Sequence, residues 1–325
     1  MIPEIIHHHT WDIVDSSKLT CAMTCMRCYF FEYLLGWRKD SPNIHFVFGQ
    51  AWHKAMDYLF FNGCTPSNLE PAYAEFLKVY RTAYSPEDEE GGPKTAANAK
   101  TVLAQYIQTY QYDRFQVEHI EIPGTVSISD EWELAMRLDL IVRNESGRIL
   151  IIDHKTTTKS SQTWRDQWSM SIQLGTYIHC ANSIFGPDNV EGALINGTVL
   201  RMPQQLKKDG TPYANSKGSE FIRVSVVKGP DQMQLWLDTV RYYRREIQFN
   251  TELLDRETGD QPTMQSFPCN PTSCTKYNTT CPYMPFCLAR SNPLSLVEQY
   301  GEGVPIGFKR EYWNPAERDE ETEVV

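Results

Sequence analysis

The sequence of 325 residues lacks several features that would assign it to a class of protein at once. No apolar run approaches the ~18 residues that a membrane-spanning helix needs, and there is no internal repeat. The first fifteen residues contain no basic segment followed by an apolar one, so we expect no signal peptide. A glycine-rich nucleotide-binding loop of the Walker type is also absent. These absences predict a cytoplasmic protein that spans no membrane and does not itself use ATP.

Positive charge is scarce as well. The 31 lysines and arginines face 41 acidic residues, a net charge of −10, which argues against a protein that coats nucleic acid. Residues 86–90 carry four acidic side chains, and residues 311–325 carry six against one arginine. The remainder of the chain is nearly neutral, so a local basic groove is still compatible with the composition.

The apolar residues indicate a globular α/β protein. They make up 41% of the chain, and they follow a helical period up to residue 115 and strand patterns after it. We expect one helix from a cap at Ser17 through Cys25 to Leu35, and another over 164–185. The predicted regions are an N-terminal helical region over 1–115 that carries Cys25 and His53, a core over 116–255 with a small mixed sheet, a cysteine-rich cap over 256–295, and a partly disordered acidic tail over 296–325.

The segment RLDLIVRNESGRILIIDHKT places charged residues at the ends of apolar strands. Asp153 and Lys155 are two residues apart on one strand and therefore share a face. A hairpin at 144–147 brings Asp139 alongside them. Paired carboxylates suit a hard divalent cation such as Mg²⁺ or Mn²⁺, which would activate water and polarise a phosphoryl oxygen. A strand-end salt bridge is the alternative interpretation.

Several motifs surround this segment in a fixed order. They are SKLTCAMTCMRCYFFEYLLGW with Ser17, Leu19, Cys25, Arg27 and Tyr29, FGQAWH with His53, VEHIEIP with Glu121, MRLDL with Asp139, DHKT with Asp153 and Lys155, and QLGTY with Gln173 and Tyr177. With these motifs the chain resembles the PD-(D/E)XK nuclease superfamily, in its RecB/AddB-like exonuclease branch. Glu118 competes with Glu121 for the early acidic position.

This resemblance implies a restriction-endonuclease-like core flanked by helices. It also implies a cation held by His53, Asp139, Asp153 and the backbone carbonyl of His154, with Glu121 as a further candidate. Lys155 would be catalytic, and Gln173 and Tyr177 would reach the substrate or Lys155. Tyr177 could instead be a core residue.

Seven of the nine cysteines fall into two groups, near residues 21–28 and 269–287. Thiolates at such spacings bind zinc or an iron–sulfur cluster, and the spacing alone does not choose between them. The resemblance implies a 4Fe–4S cluster on Cys25, Cys274, Cys281 and Cys287, with zinc as the alternative. Cys21, Cys28 and Cys269 are then surplus, although Cys21 and Cys28 share a helix face with Cys25 and either could replace it.

The expected function is a Mg²⁺- or Mn²⁺-dependent deoxyribonuclease, an exonuclease for single-stranded DNA or DNA ends in replication, recombination, repair or phage DNA metabolism. Trp164 and Trp168 are either core residues or stacking partners for bases. One alternative is a nuclease subunit that trims DNA for CRISPR adaptation together with a protein partner. The other alternative, a non-catalytic DNA-binding scaffold, has no need of Asp139, Asp153 and Lys155.

Overall fold

A computed structural model describes residues 7–87, 92–203, 217–276 and 279–315. The chain divides into two compact units, one formed by Met1–Ser41, Pro123–Met136 and Pro230–Val325, the other by Pro42–Ile122 and Arg137–Gly229. We call them unit 1 and unit 2. The last ten residues of the predicted acidic tail lie outside the described residues. No helix in the described ranges has the length and apolar character that a membrane span requires.

The helices and strands of the described residues are as follows. The helices are α1 Ser16–Thr24, α2 Met26–Tyr29, α3 Ile44–Asn62, α4 Leu69–Tyr80, α5 Ala96–Tyr110, α6 Gln162–Asp166, α7 Ile172–Phe185, α8 Pro230–Leu254, α9 Met284–Ala289 and α10 Leu294–Tyr300. The strands are β1 Trp37–Lys39, β2 Gln116–Ser127, β3 Glu133–Arg143, β4 Ile149–Thr157, β5 Val190–Val199, β6 Glu220–Val226, β7 Thr275–Lys276, β8 Thr279–Thr280 and β9 Phe308–Arg310.

A five-stranded mixed sheet in the order β2-β3-β4-β5-β6 confirms the predicted fold class. Strands β3 and β4 pair antiparallel, with Leu140 opposite Ile152. The predicted hairpin joins them, and Gly147 adopts a φ of 80° there, which glycine accepts without steric cost. Strands β4 and β5 run parallel. A parallel pair needs a crossover, and α7 lies in that connection.

Helices α3, α4 and α5 form the main apolar cluster of unit 2. Phe48, Trp52, Phe76 and Tyr106 are all buried in it. Each such side chain contributes about 2–3 kcal/mol relative to an exposed one. The helical period predicted from residue 48 to residue 60 is confirmed by α3, and this packing fixes the helix that carries His53.

The prediction of a single helix from Ser17 to Leu35, a segment of unit 1, is wrong. The side chain of Asp15, not Ser17, caps α1 by accepting a hydrogen bond from the Lys18 N–H. Cys25 is extended (φ −166°, ψ 115°) and separates α1 from α2, after which a π-helical turn covers Phe30–Leu34. The Arg27 side chain donates from Nε to the Phe267 carbonyl at 2.7 Å. This long-range contact, which helical periodicity does not encode, holds the chain next to the break.

The helix predicted over 164–185 is also divided. Ser171 is extended and caps α7, while α6 and a 3-10 turn at Gln167–Met170 precede it. The Ser171 hydroxyl accepts from the Leu174 N–H, and such a cap competes with a continuous helix at serine. Because of this break, segment 164–168, which contains both tryptophans, does not continue the axis of α7.

Candidate active site

Two carboxylates lie next to each other at the edge of the β3–β4 pair in unit 2. Leu140 and Ile152 are the last pair of the register at this end, and Asp139 comes just before Leu140 while Asp153 comes just after Ile152. Asp153 is fully buried, and the backbone N–H of its neighbour His154 donates to Asp139 Oδ2 at 3.3 Å. Strand register therefore brings together two acidic side chains that are 14 positions apart in sequence.

Lys155 is the cation of this cluster. Its Nζ donates to Asp153 Oδ1 at 2.9 Å and lies 2.8 Å from Asp153 Oδ2. On the other side Nζ donates to Gln173 Oε1 at 3.1 Å, and Gln173 Nε2 donates to the Tyr177 hydroxyl at 2.7 Å. Because Gln173 and Tyr177 lie one turn apart on α7, the crossover helix holds the ammonium group in place.

His53 reaches the same cluster from α3. Its Nδ1 lies 3.3 Å from Asp139 Oδ2, and its Nε2 donates to the His154 carbonyl at 2.6 Å. Each side chain predicted to be catalytic or to bind the cation, with the exception of Glu121, thus contacts at least one other of them. The predicted backbone carbonyl of His154 lies among them.

Burial and neighbouring charge shift the pKa values of these groups. Burial raises the pKa of Asp139 well above its usual range, and the charge of Asp153 adds to this. Burial lowers the pKa of His53, and Lys155 lowers it further, so the imidazole is neutral. Burial also lowers the pKa of Lys155, but Asp153 and Asp139 outweigh it and the net shift is upward. At neutral pH the site therefore contains a lysine cation and a neutral imidazole around the Asp139 carboxyl group, whose pKa is raised.

Glu121 is placed beside the cluster and not within it. Its carboxylate accepts a hydrogen bond from Lys54 Nζ at 2.7 Å, and its backbone has a φ of 47°, which is unusual for a residue other than glycine. Glu118 instead pairs with Arg143 at 2.9 Å. The charge of Glu121 opposes part of the lowering of the His53 pKa, and Glu121 stays the predicted early acidic residue.

Two polar residues near the site were not predicted from the sequence. Asn196 Nδ2 donates to His154 Nδ1 at 3.0 Å and to the Tyr106 hydroxyl at 2.8 Å. Asp57 lies on α3 one turn beyond His53, and burial raises its pKa to about 8. Asn196 had a signal in the sequence, since it interrupts the apolar run of β5. Asp57 had none, because it occupies an ordinary polar position of an amphipathic helix.

The donor set fits a hard divalent cation. Asp153 Oδ2 is buried and faces the Lys155 ammonium group at 2.8 Å, an environment that favours a charged carboxylate. Asp139 Oδ2 faces the unprotonated Nδ1 of His53, so two acceptor atoms meet where a cation or a proton is needed. Carboxylate, carbonyl and imidazole ligands suit Mg²⁺ or Mn²⁺.

The family model for the PD-(D/E)XK nuclease superfamily matches residues 16–288. The chain belongs to the PD-(D/E)XK nuclease superfamily. The family indicates a metal-dependent nuclease whose substrate is a nucleic acid. Among solved structures the chain is similar to SSO0001, at 11% identity over 62% of this chain and 84% of that one, with a TM-score of 0.25. No curated protein matches the chain significantly.

Seven of the nine cysteines of this PD-(D/E)XK nuclease form two groups in unit 1. Burial raises the pKa of the Cys269 thiol, and the neighbouring thiols of Cys287, Cys25 and Cys274 raise it further, so these four side chains lie near one another. The Cys25 thiol accepts a hydrogen bond from the Asn270 N–H at 3.3 Å. Three of the four predicted cluster ligands, Cys25, Cys274 and Cys287, therefore lie in one group, with the surplus Cys269 as its fourth member.

The second group contains the remaining predicted ligand. The neighbouring Cys21 thiol raises the pKa of Cys28, and the Cys28 thiol raises the pKa of Cys281, so these three side chains lie near one another. The Cys281 backbone N–H donates to the Cys274 carbonyl at 2.8 Å, which links the two groups along the chain. The interruption at Cys25 directs its thiol to the first group, so Cys21 and Cys28 are not its substitutes on a shared helix face.

Proposed function

We propose that this protein is a Mg²⁺- or Mn²⁺-dependent DNA exonuclease that acts on single strands or DNA ends. The observation that carries the proposal is the cluster of the buried Asp153 with the half-buried Asp139 and Lys155, held between a β-hairpin and the crossover helix. Withdrawing two carboxylates and a lysine from water costs stability unless they serve a ligand or a reaction. A scaffold that only binds DNA would not require this cluster.

His53, Asp139, Asp153 and the His154 carbonyl are the groups that would hold the cation. When bound, the cation supplies a Lewis acid that lowers the pKa of water and polarises a phosphoryl oxygen. Asn196 fixes the His154 ring through Nδ1. It thereby orients the backbone segment whose carbonyl faces the site.

Lys155 would stabilise the negative charge that develops on the phosphate as water attacks phosphorus and the P–O bond breaks. Its raised pKa keeps the amine protonated at neutral pH, so it acts as a cation and not as a base. Gln173 positions Nζ through the 3.1 Å hydrogen bond, and Tyr177 orients Gln173 in turn.

Two tryptophans support a preference for unpaired bases. The Trp168 ring lies 6.0 Å from Lys155 Nζ, and Trp164 packs edge to face against Trp168 with ring centroids 5.5 Å apart. An aromatic pair next to the reacting phosphate offers stacking surface to the bases of a single strand. A duplex end presents fewer free base faces to the same surface.

We also propose that a 4Fe–4S cluster is held by Cys25, Cys274, Cys281 and Cys287. The proximity of two thiol groups from distant parts of the sequence supports a soft-metal site, since thiolates are the usual ligands of such clusters. When bound, the cluster supplies structural closure of unit 1. An anaerobic preparation with about four irons per chain and a visible absorption band supports this proposal, and an iron-free, zinc-containing preparation contradicts it.

An assay with end-labelled and internally labelled DNA tests the nuclease proposal. We expect wild-type protein to cleave single-stranded oligonucleotides with Mg²⁺ or Mn²⁺ and to lose this activity in EDTA. Mononucleotides or a regular ladder from one end indicate an exonuclease, whereas cleavage of a circular single strand indicates an endonuclease and contradicts the proposal. Cleavage of RNA in preference to DNA would contradict the substrate assignment.

A further inference from the structure

Cys21, Cys28 and Glu32 form a compact set of metal-ligating side chains outside the active site. One donor atom from each lies within 4.8 Å of the other two, and the described residues contain no other such group of three or more histidine, cysteine or acidic side chains. All three residues are half-buried. The geometry needed for binding therefore exists before any ion is added.

The local fold explains this arrangement. Cys21 lies on the last turns of α1, and the chain resumes as α2 after the extended Cys25. Cys28 and Glu32 then follow one turn apart, with Glu32 in the π-helical segment. The Cys28 thiol lies 3.9 Å from Glu32 Oε2, and π-helical turns inside helices are frequent at functional sites.

A single iron–sulfur cluster does not account for these residues. The predicted ligand set uses Cys281, and the thiol group seen in the structure uses Cys269 in its place. Cys21, Cys28 and Glu32 belong to neither set. Two thiols and a carboxylate are thus left together in a partly buried place with no assigned role.

The ligand types select the metal. Thiolate sulfur together with a carboxylate oxygen is a combination that Zn²⁺ accepts, whereas Mg²⁺ requires oxygen ligands. Two thiolates and one carboxylate carry three negative charges against the two positive charges of zinc. Arg38 Nη1 lies 3.6 Å from Glu32 Oε1 and brings the local charge to zero.

We propose that Cys21, Cys28 and Glu32 bind one Zn²⁺ in a site separate from the iron–sulfur cluster. A water molecule would take the fourth tetrahedral position, because Cys281 is a ligand of the proposed cluster. The ion would fix the path of the chain across the interruption at Cys25. This proposal does not depend on the nuclease activity.

Metal analysis of the full-length protein tests the site. Protein purified anaerobically from zinc-supplemented cells, and separately reloaded with Zn²⁺ alone, is measured for zinc and iron by mass spectrometry. We expect about one zinc per chain in the wild type. Cys21→Ser and Cys28→Ser should lose the zinc and keep the iron, whereas Cys180→Ser, which alters a buried thiol in unit 2, should keep both metals.

Glu32→Gln provides a variant that leaves both thiols in place. It should bind zinc but release it to a chelator faster than the wild type does, with circular dichroism unchanged. The proposal is overturned if the wild type takes up no zinc, or if its zinc survives both cysteine substitutions. Loss of iron together with zinc in a folded Cys21→Ser or Cys28→Ser protein also overturns it, because these thiols would then serve the cluster.

Discussion

Replacing Asp139 with asparagine tests whether repulsion between the Asp139 and Asp153 carboxyl groups lowers the free energy of unfolding. A bound cation would remove this repulsion. Asp139 is half-buried beside Asp153, and desolvation followed by the Asp153 charge raises its pKa. Asparagine retains an oxygen that can accept from the His154 N–H but carries no charge. We therefore expect Asp139→Asn to stabilise the protein in EDTA at neutral pH.

The size of the expected stability gain follows from the repulsion between Asp139 and Asp153 and from the opposite charge of Lys155. Like charges about 4 Å apart repel by about 4 kcal/mol at an effective dielectric constant of about 20. Lys155, which contacts Asp153, offsets part of this repulsion. We expect a net gain of about 1–3 kcal/mol in the free energy of unfolding, which raises Tm by roughly 2–8 °C.

Thermal unfolding in EDTA and in excess Mg²⁺ provides the assay. Magnesium at 100 times its Kd should stabilise the wild type by about 2.7 kcal/mol and the variant much less. Because the folded-state pKa of Asp139 lies above the ordinary 3.8, wild-type stability in EDTA falls as pH rises above that value, so the variant's advantage grows with pH. The exposed Asp130→Asn serves as control. A variant that is less stable in EDTA, or gains as much from Mg²⁺ as the wild type, refutes the reasoning.

Three further predictions concern groups around the cluster. Gln173→Ala removes the 3.1 Å contact to Lys155 and should lower kcat roughly tenfold or more with little change in KM, measured by steady-state cleavage. Gly197→Ala places a Cβ 2.5 Å from the Trp164 ring and should cost about 1–3 kcal/mol in denaturant unfolding. Asp57 has an ordinary pKa of 3.8 that burial raises to about 8, so ionisation destabilises the fold as pH rises between these values. Asp57→Asn should therefore gain about 1–3 kcal/mol at pH 9 and nothing near pH 3.5.

Each of these predictions has a result that contradicts it. A Gln173→Ala enzyme with normal kcat would show that Lys155 needs no positioning from α7. An unchanged unfolding free energy for Gly197→Ala would mean that the Trp164 side chain moves aside freely. A pH-independent effect of Asp57→Asn would show that the Asp57 carboxyl does not change its ionisation between folded and unfolded protein.

The sequence predicted the parts of the site that follow from strand period and register. Alternation placed Asp153 and Lys155 on one face, and the turn at 144–147 fixed the position of Asp139. The strand period and the turn are local sequence patterns, so a single sequence contains them. His53 and Gln173 followed instead from the resemblance of their motifs to the nuclease superfamily.

Other features depend on long-range contacts and could not be predicted. The interruption at Cys25 accompanies a hydrogen bond from the Asn270 N–H to its thiol, 245 positions away. The division of the cysteines into two groups follows from that interruption. The contact between Glu121 and Lys54 likewise joins a strand to a helix 67 positions earlier, which helical or strand periodicity does not encode.

The central claim is that Lys155 acts as the catalytic cation of a metal-dependent nuclease. Single-turnover cleavage of an end-labelled single strand with Mg²⁺ compares Lys155→Met with Lys159→Met, which changes an exposed lysine at the end of the same segment. We predict a rate roughly 10²–10³-fold lower for Lys155→Met, a normal rate for Lys159→Met, and no cleavage in EDTA. Full activity of a folded Lys155→Met protein, or cleavage by the wild type without divalent cations, would contradict the claim.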